Sequence, residues 1–198
     1  FNIQTVSKDS LTQLKDELSI QEEDFVFGFL GRIIDRKGIN ELFEVYKDIY
    51  TTNKHFKLLV VGPFDDSQIQ DSELYENMLN HPGVILTGRT DNVPLYLSIM
   101  DVFVLPAWWE GFGNVLIQAA AMGIPVISTF GTGTRDAVSN HYNGLLVPLK
   151  DTGKLKEAML ELYHNEEKRV LYGKNGVEWS KNFDNEIIWE GMNEIYRK

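Results

Sequence analysis

Glu110 stands before a glycine turn, Gly111-Phe112-Gly113, that opens an apolar helix running to Met122. Glycines at 111 and 113 let backbone approach a ligand closely. The first N–H groups of the helix, at Asn114 and Val115, lack intrahelical partners and can bind an anion. Within the helix only Asn114 and Gln118 are polar, and they sit one turn apart on a shared face. An apolar helix of this kind reads as buried, and polar groups on a buried helix need hydrogen-bond partners. The chemistry this predicts is recognition of a molecule carrying both phosphate and hydroxyl groups. Phosphate would meet the amides of residues 111–115, and hydroxyls would meet Glu110 and Gln118. The plain alternative is a solvated Glu110 and a core amide at Gln118.

A second cluster is GRIIDRKG, with Arg32, Arg36 and Lys37 between Gly31 and Gly38, directly after an apolar run. Lys37 is expected in the first turn of the following helix, where the helix dipole disfavours a cation. A lysine placed there beside arginines suits an anion shared between them, with Arg giving a fork and Lys a point charge. Ordinary solvated charge is the other reading. Two weaker clusters follow. In Gly88-Arg89-Thr90-Asp91-Asn92 the backbone, helped by Arg89 or Thr90, could meet the edge of a base, or Asp91 or Asn92 simply caps the next helix. The loop 131–135, GTGTR, lines the same cleft or is a plain strand-to-helix turn. Trp108 and Trp109 stack on a ligand or serve as core and interface aromatics.

Composition excludes several classes. A formal charge of -10 argues against a nucleic-acid-binding face or an anionic-membrane surface on this chain. There are no cysteines, and the four histidines are scattered, so no metal site is expected and no resident cofactor either. No GxGxxG follows the first apolar run, and Walker, GxSxG and HExxH motifs are absent. The uncharged stretch 111–134 is broken by Pro125 and its glycines, so it divides into helix, turn and strand rather than spanning a membrane. The chain opens on Phe1 without a signal peptide, and we expect a fragment of a longer polypeptide.

Six apolar runs are expected to form strands: 25–31, 57–62, 83–88, 101–106, 124–129 and 143–147. Helical patterns lie between them, at 39–50, 71–80, 93–100 and 113–122, and a helical tail occupies 151–198. A short helix over 10–20 would be capped by Ser10. Strands apolar throughout and alternating with helices predict an α/β, Rossmann-like, doubly wound parallel sheet with helices on both faces. Ligands in such sheets bind outside the carboxyl ends of the strands, where every cluster above is placed.

These residues together resemble the carboxy-terminal, donor-binding domain of the family 4 retaining glycosyltransferases, which pair two Rossmann-like domains in the GT-B architecture. The resemblance spans 25–147. GRIIDRKG resembles the family's G-R-x-x-x-x-K-G, which implies that Arg32 and Lys37 hold the donor diphosphate. Glu110-Gly-Phe-Gly resembles the start of its E-x7-E motif, which implies that Glu110 contacts donor-sugar hydroxyls. The second glutamate of that motif is Gln118 here, which keeps an acceptor for the ribose but loses its charge. The wording EGFGNVLIQAAAMGIPV is similar to bacterial capsule and O-antigen sugar transferases.

The resemblance implies transfer of a sugar from a nucleotide sugar, a UDP-hexose or UDP-N-acetylhexosamine, to a glycan or lipid-linked acceptor. Preorganised Arg32, Lys37 and helix-start amides would stabilise the leaving diphosphate without a metal. On this reading 1–24 is a linker and short helix, 25–178 the nucleotide-sugar domain, and 179–198 a C-terminal helix packing towards an N-terminal acceptor domain. The chain alone would then bind donor and transfer little, in the cytoplasm or at the inner face of a membrane. A UDP-sugar epimerase of the same architecture and a binding-only donor subunit are the competing expectations.

Overall fold

In a computed structural model of the chain, residues 1, 5–71 and 73–184 are described. Six strands, β1 (Phe25–Leu30), β2 (Phe56–Val61), β3 (Val84–Gly88), β4 (Val102–Leu105), β5 (Val126–Thr129) and β6 (Gly144–Val147), form one sheet in the order β3-β2-β1-β4-β5-β6. All its pairings are parallel. β4 and β5 are buried along their whole length, as the continuous apolar runs predict for a sheet covered on both faces. β3, at the edge, is half-buried throughout.

The covering helices are α1 (Lys8–Glu17), α2 (Ile39–Thr52), α3 (Leu74–Leu79), α4 (Val93–Leu97), α5 (Asn114–Ala121), α6 (Thr134–Ala137), α7 (Thr152–His164) and α8 (Glu166–Ser180). In α2 the spacing of Ile39, Leu42, Phe43, Tyr46 and Ile49 puts one apolar face on the sheet, and all five are buried. Asn92 caps α4 by accepting from the Leu95 N–H at 3.4 Å, the structural role foreseen for that turn.

Three local expectations are corrected. α1 starts earlier than expected, because the Ser7 side chain accepts from the Ser10 N–H at 3.1 Å and is the cap. Lys37 is not in the first turn of α2. It ends a 3-10 turn, Asp35–Lys37, and Gly38 in a left-handed conformation separates it from the helix, so the dipole argument does not apply to it. Finally, α5 is not buried all round. Leu116, Ala119 and Ala120 face the core, whereas Asn114 is exposed and Val115 and Gln118 are half-buried.

At the ends of the chain, α1 buries Leu14 in the core, and α8 runs past residue 178 without a break. The end of the expected C-terminal helix, 185–198, lies outside the described residues.

α8 packs on α5 through glycines. A Cβ on Gly173 would sit 2.2 Å from the Gly123 carbonyl oxygen, and one on Gly176 would sit 3.1 Å from that of Ala120.

Candidate functional site

In this strand order the chain winds outward from β1 on one side and from β4 on the other. The crevice outside the carboxyl ends of β1 and β4 is therefore the switch point where doubly wound sheets bind ligands. The loop after β1 carries Gly31, Arg32, Arg36 and Lys37. The loop after β4 carries Trp108, Trp109, Glu110 and the glycine turn. The two strongest clusters in the sequence thus meet at one place.

They meet by direct contact. The backbone N–H of Trp108 donates to the Arg36 carbonyl at 2.9 Å. Gly38, at φ 73°, lies so near the β4 loop that a Cβ would fall 2.1 Å from the Pro106 carbonyl oxygen. The Lys37 ammonium donates to the Glu110 carboxylate, and both side chains are largely enclosed, at 16% and 14% exposure. Burial pushes the Lys37 pKa down to about 8, and the positive charges of Arg36 and Arg32 push the same way. The contacting Glu110 carboxylate opposes that shift, and the lysine is charged at neutral pH.

The glycine turn is held on its far side by β5. The Glu110 N–H donates to the Thr132 carbonyl at 3.1 Å, and Trp109 bridges Thr132 in parallel. A Cβ on Gly133 would fall 2.3 Å from the Glu110 carbonyl oxygen. Buried hydroxyls brace this rim. Ser128 donates to the Leu105 carbonyl at 2.6 Å, Thr129 donates to the Ala107 carbonyl, and Thr134 donates to the Thr129 carbonyl at 2.7 Å. Beyond the turn, α5 starts at Gly113 with no side-chain cap and no acidic residue in its first turn. Its first amides are open to an anion.

The remaining candidates are spread differently. Phe112 and Gly111 are exposed, and Gln118 makes no side-chain hydrogen bond among the described residues. The expectation that a buried polar stripe here must be hydrogen-bonded is therefore corrected: Gln118 is only half-buried, so its amide is not sealed from solvent. Arg32 lies half-exposed with Nη1 3.5 Å from Asp65. Arg89 and Thr90 stand on the same carboxyl rim but at the sheet edge, after β3. Arg89 is 82% exposed and 3.8 Å from Asp91, and the Thr90 hydroxyl accepts from the Asn92 N–H at 3.0 Å. Among the described residues neither side chain makes a hydrogen bond or ion pair to the β1 or β4 loop.

Several contributors escaped the sequence reading. Asp65 partners Arg32 from a loop that reads only as polar. Asp35, buried, accepts from the Asn40 side chain at 2.7 Å and the Gln70 N–H at 2.9 Å, which fixes the β1 loop from below. Lys150 lies 3.5 Å over the Trp108 ring, while the Trp108 indole donates to Glu41 at 2.9 Å. Of these, Asp35 beside two basic residues carried a local signal, since an acidic residue inside a basic loop is usually bonded to something. Among the described residues, no three His, Cys, Asp or Glu side chains gather where they could hold a metal ion, and no helix is long and apolar enough to cross a membrane.

The arrangement offers cations and helix-start amides to an anion, and a carboxylate beside them to hydroxyl groups. Comparison with known proteins shows the family. The chain is 36% identical over 175 residues to the capsular polysaccharide biosynthesis glycosyltransferase CapM of Staphylococcus aureus, a match that covers 88% of this chain and 46% of CapM. It thus spans about half the length of the relatives it matches. The structure of Anabaena Alr3699/HepE in complex with UDP and glucose superposes with a TM-score of 0.87 at 21% identity, covering 100% of this chain and 55% of that one. The C-terminal domain of the glycosyl transferase group 1 family protein LpcC from Francisella tularensis superposes with a TM-score of 0.78 at 20% identity, covering 92% of this chain and 97% of that one. At these identities the structural likeness bears on the fold alone. The profile of the family described as Glycosyl transferases group 1 matches residues 11–179, and the chain belongs to that family.

Proposed function

We propose that the chain is the donor-binding half of a retaining, family 4 glycosyltransferase that transfers a hexose or N-acetylhexosamine from UDP to a glycan or lipid-linked acceptor in bacterial surface polysaccharide synthesis. The observation that carries this reading is the contact of Lys37 with Glu110 at the switch point, beside the uncapped start of α5. The capsular role that CapM is named for, and the UDP and glucose held in the HepE complex, support it from outside the chain.

In this reading Arg32, Lys37 and the amides of residues 111–115 take the diphosphate. Cleavage of the bond from the anomeric carbon leaves negative charge on that diphosphate, and preorganised cations and dipoles stabilise it as it forms. No metal is assigned to the step. Glu110 exchanges its contact with Lys37 for the sugar hydroxyls. Gln118 meets the ribose, and the Arg89-Thr90 turn meets the edge of the base. The acceptor attacks from the face the diphosphate leaves, held by an N-terminal domain that packs against this one. The chain alone therefore binds donor but transfers little, and the whole protein works in the cytoplasm or at the inner face of the membrane.

Calorimetric titration of the chain with UDP, GDP and ADP tests the assignment. Selective binding of UDP, abolished in the Arg32→Ala/Lys37→Ala double variant, is expected. Equal affinity for UDP in the double variant would remove these residues from the donor site.

A further inference from the structure

α8 runs antiparallel to α5, with Gly173 set against Gly123 and Gly176 against Ala120. Continued by one more turn, that register carries the end of α8 towards the residues that precede α5. Trp179 and Phe183 arrive there. The Trp179 indole donates to the Ala137 carbonyl at the end of α6, at 3.0 Å. Trp179 and Phe183 pack edge to face, with ring centroids 5.7 Å apart. Phe183 packs edge to face on Phe112, at 5.4 Å. Phe112 is the middle residue of the glycine turn and stays 39% exposed with Phe183 against it.

We infer that Trp179 and Phe183 are positioning residues for the glycine turn, so that the segment after α8 sets the geometry of the anion-binding start of α5. The physical need is clear. A turn with glycines on both sides of one aromatic has little conformational preference of its own. Its amides bind an anion well only if they are already aimed. The β5 side holds the turn through Glu110, Thr132 and Gly133. On the opposite side Phe112 has the ring of Phe183. Trp179 closes the frame by gripping α6, whose Ala137 Cβ would lie 3.5 Å from a Cβ on Gly113. The consequence for donor affinity rests on the proposed function, whereas the positioning itself does not.

The experiment uses the full chain and has two arms. Backbone amide exchange at residues 111–114 is compared between the wild type, Phe183→Ala and Phe183→Tyr, with the β5 amides as the control for an intact fold. We expect exchange in the turn to accelerate about fivefold in Phe183→Ala and to return to the wild-type rate in Phe183→Tyr, on the scale of one aromatic pair. Should Phe183→Ala unfold the chain, Trp179→Phe keeps an aromatic ring beside Phe183, removes the bond to Ala137 and should accelerate exchange in the turn in the same direction.

In the second arm UDP is titrated into Phe183→Ala, Phe112→Ala and the double variant. Each single change is expected to weaken UDP by about fivefold, and the double variant no further, because both remove one contact. Unchanged exchange in the turn, or fully additive losses of affinity, would overturn the inference. A wild-type chain that binds no UDP would sink the donor-site reading alone, since the exchange arm still decides whether the aromatic pair holds the turn.

Discussion

Lys37 and Glu110 make a largely enclosed ion pair between the two loops that a doubly wound sheet presents at its switch point. Neither charge is remote from a competitor: Arg36 and Arg32 crowd the lysine, and the open start of α5 follows the glutamate by four residues. An ion pair of this kind is a placeholder for ligand groups of the same signs. On the proposed function, phosphate would take the lysine and hydroxyl groups would take the carboxylate.

A first prediction follows from that competition. In Glu110→Gln the lysine no longer has to leave a carboxylate before it meets the diphosphate. UDP itself is expected to bind about fivefold more tightly at pH 6.5, the scale of one partly enclosed ion pair. UDP-sugar should lose whatever advantage it holds over UDP, since the hydroxyl acceptor is weakened. Parallel titrations of the variant with UDP and UDP-glucose check both halves. Weaker UDP binding in Glu110→Gln would mean that the carboxylate organises the lysine rather than blocking it.

The depressed pKa of Lys37 gives the pH dependence. The group is charged below about pH 8 and neutral above it, whereas an unperturbed lysine stays charged to 10.5. Anion binding requires the charged form, so UDP affinity should fall as pH rises through about 8, above the range, about pH 6, in which the terminal phosphate of UDP itself titrates. Between pH 7 and 9 the charged fraction drops about tenfold, and affinity should follow. In Lys37→Arg the fall should vanish across this range, because guanidinium does not titrate there. A wild-type profile that remains flat to pH 9.5 would show that another cation dominates.

Much of this was legible beforehand. Apolar runs such as FVFGFL and VFVL identify the central strands, because a strand buried on both faces tolerates little else. The clusters at Arg32–Lys37 and Glu110–Gln118 were visible as chemistry misplaced in such a sheet. Hidden were the partners set by long-range packing. Nothing near Asp65 announces Arg32, and nothing in the tail announces that Phe183 reaches Phe112. The burial of α5 was overestimated because only its Leu116, Ala119 and Ala120 face is enclosed, while Asn114 is exposed and Val115 and Gln118 are half-buried.

Gln118 makes the third prediction. Its amide is half-buried and unbonded among the described residues, one turn above the α5 start. If it faces the ribose, a carboxylate there would accept charge-assisted bonds from the hydroxyls, about 1 kcal/mol better than the amide. Gln118→Glu should therefore bind UDP about fivefold more tightly. The same variant should gain less with 2′,3′-dideoxy-UDP, which lacks the donating hydroxyls. An equal gain with both nucleotides would place the effect elsewhere.

The last prediction concerns Gly38, where the two site loops cross. Its φ of 73° is costly for any residue with a Cβ, by about 1–2 kcal/mol. A Cβ would also fall 2.1 Å from the Pro106 carbonyl oxygen, and that atom belongs to backbone that cannot rotate away. Gly38→Ala must therefore separate the β1 and β4 loops, which strains the Trp108-to-Arg36 hydrogen bond and moves Lys37 away from Glu110. Thermal unfolding should drop by several degrees, since about 1 kcal/mol is worth roughly 2–4 °C in a chain of this size. UDP binding should fall by more than the stability loss alone explains, because the folded fraction at 25 °C stays near unity. An alanine variant with unchanged melting temperature and UDP affinity would mean that the loops are not locked together at this crossing.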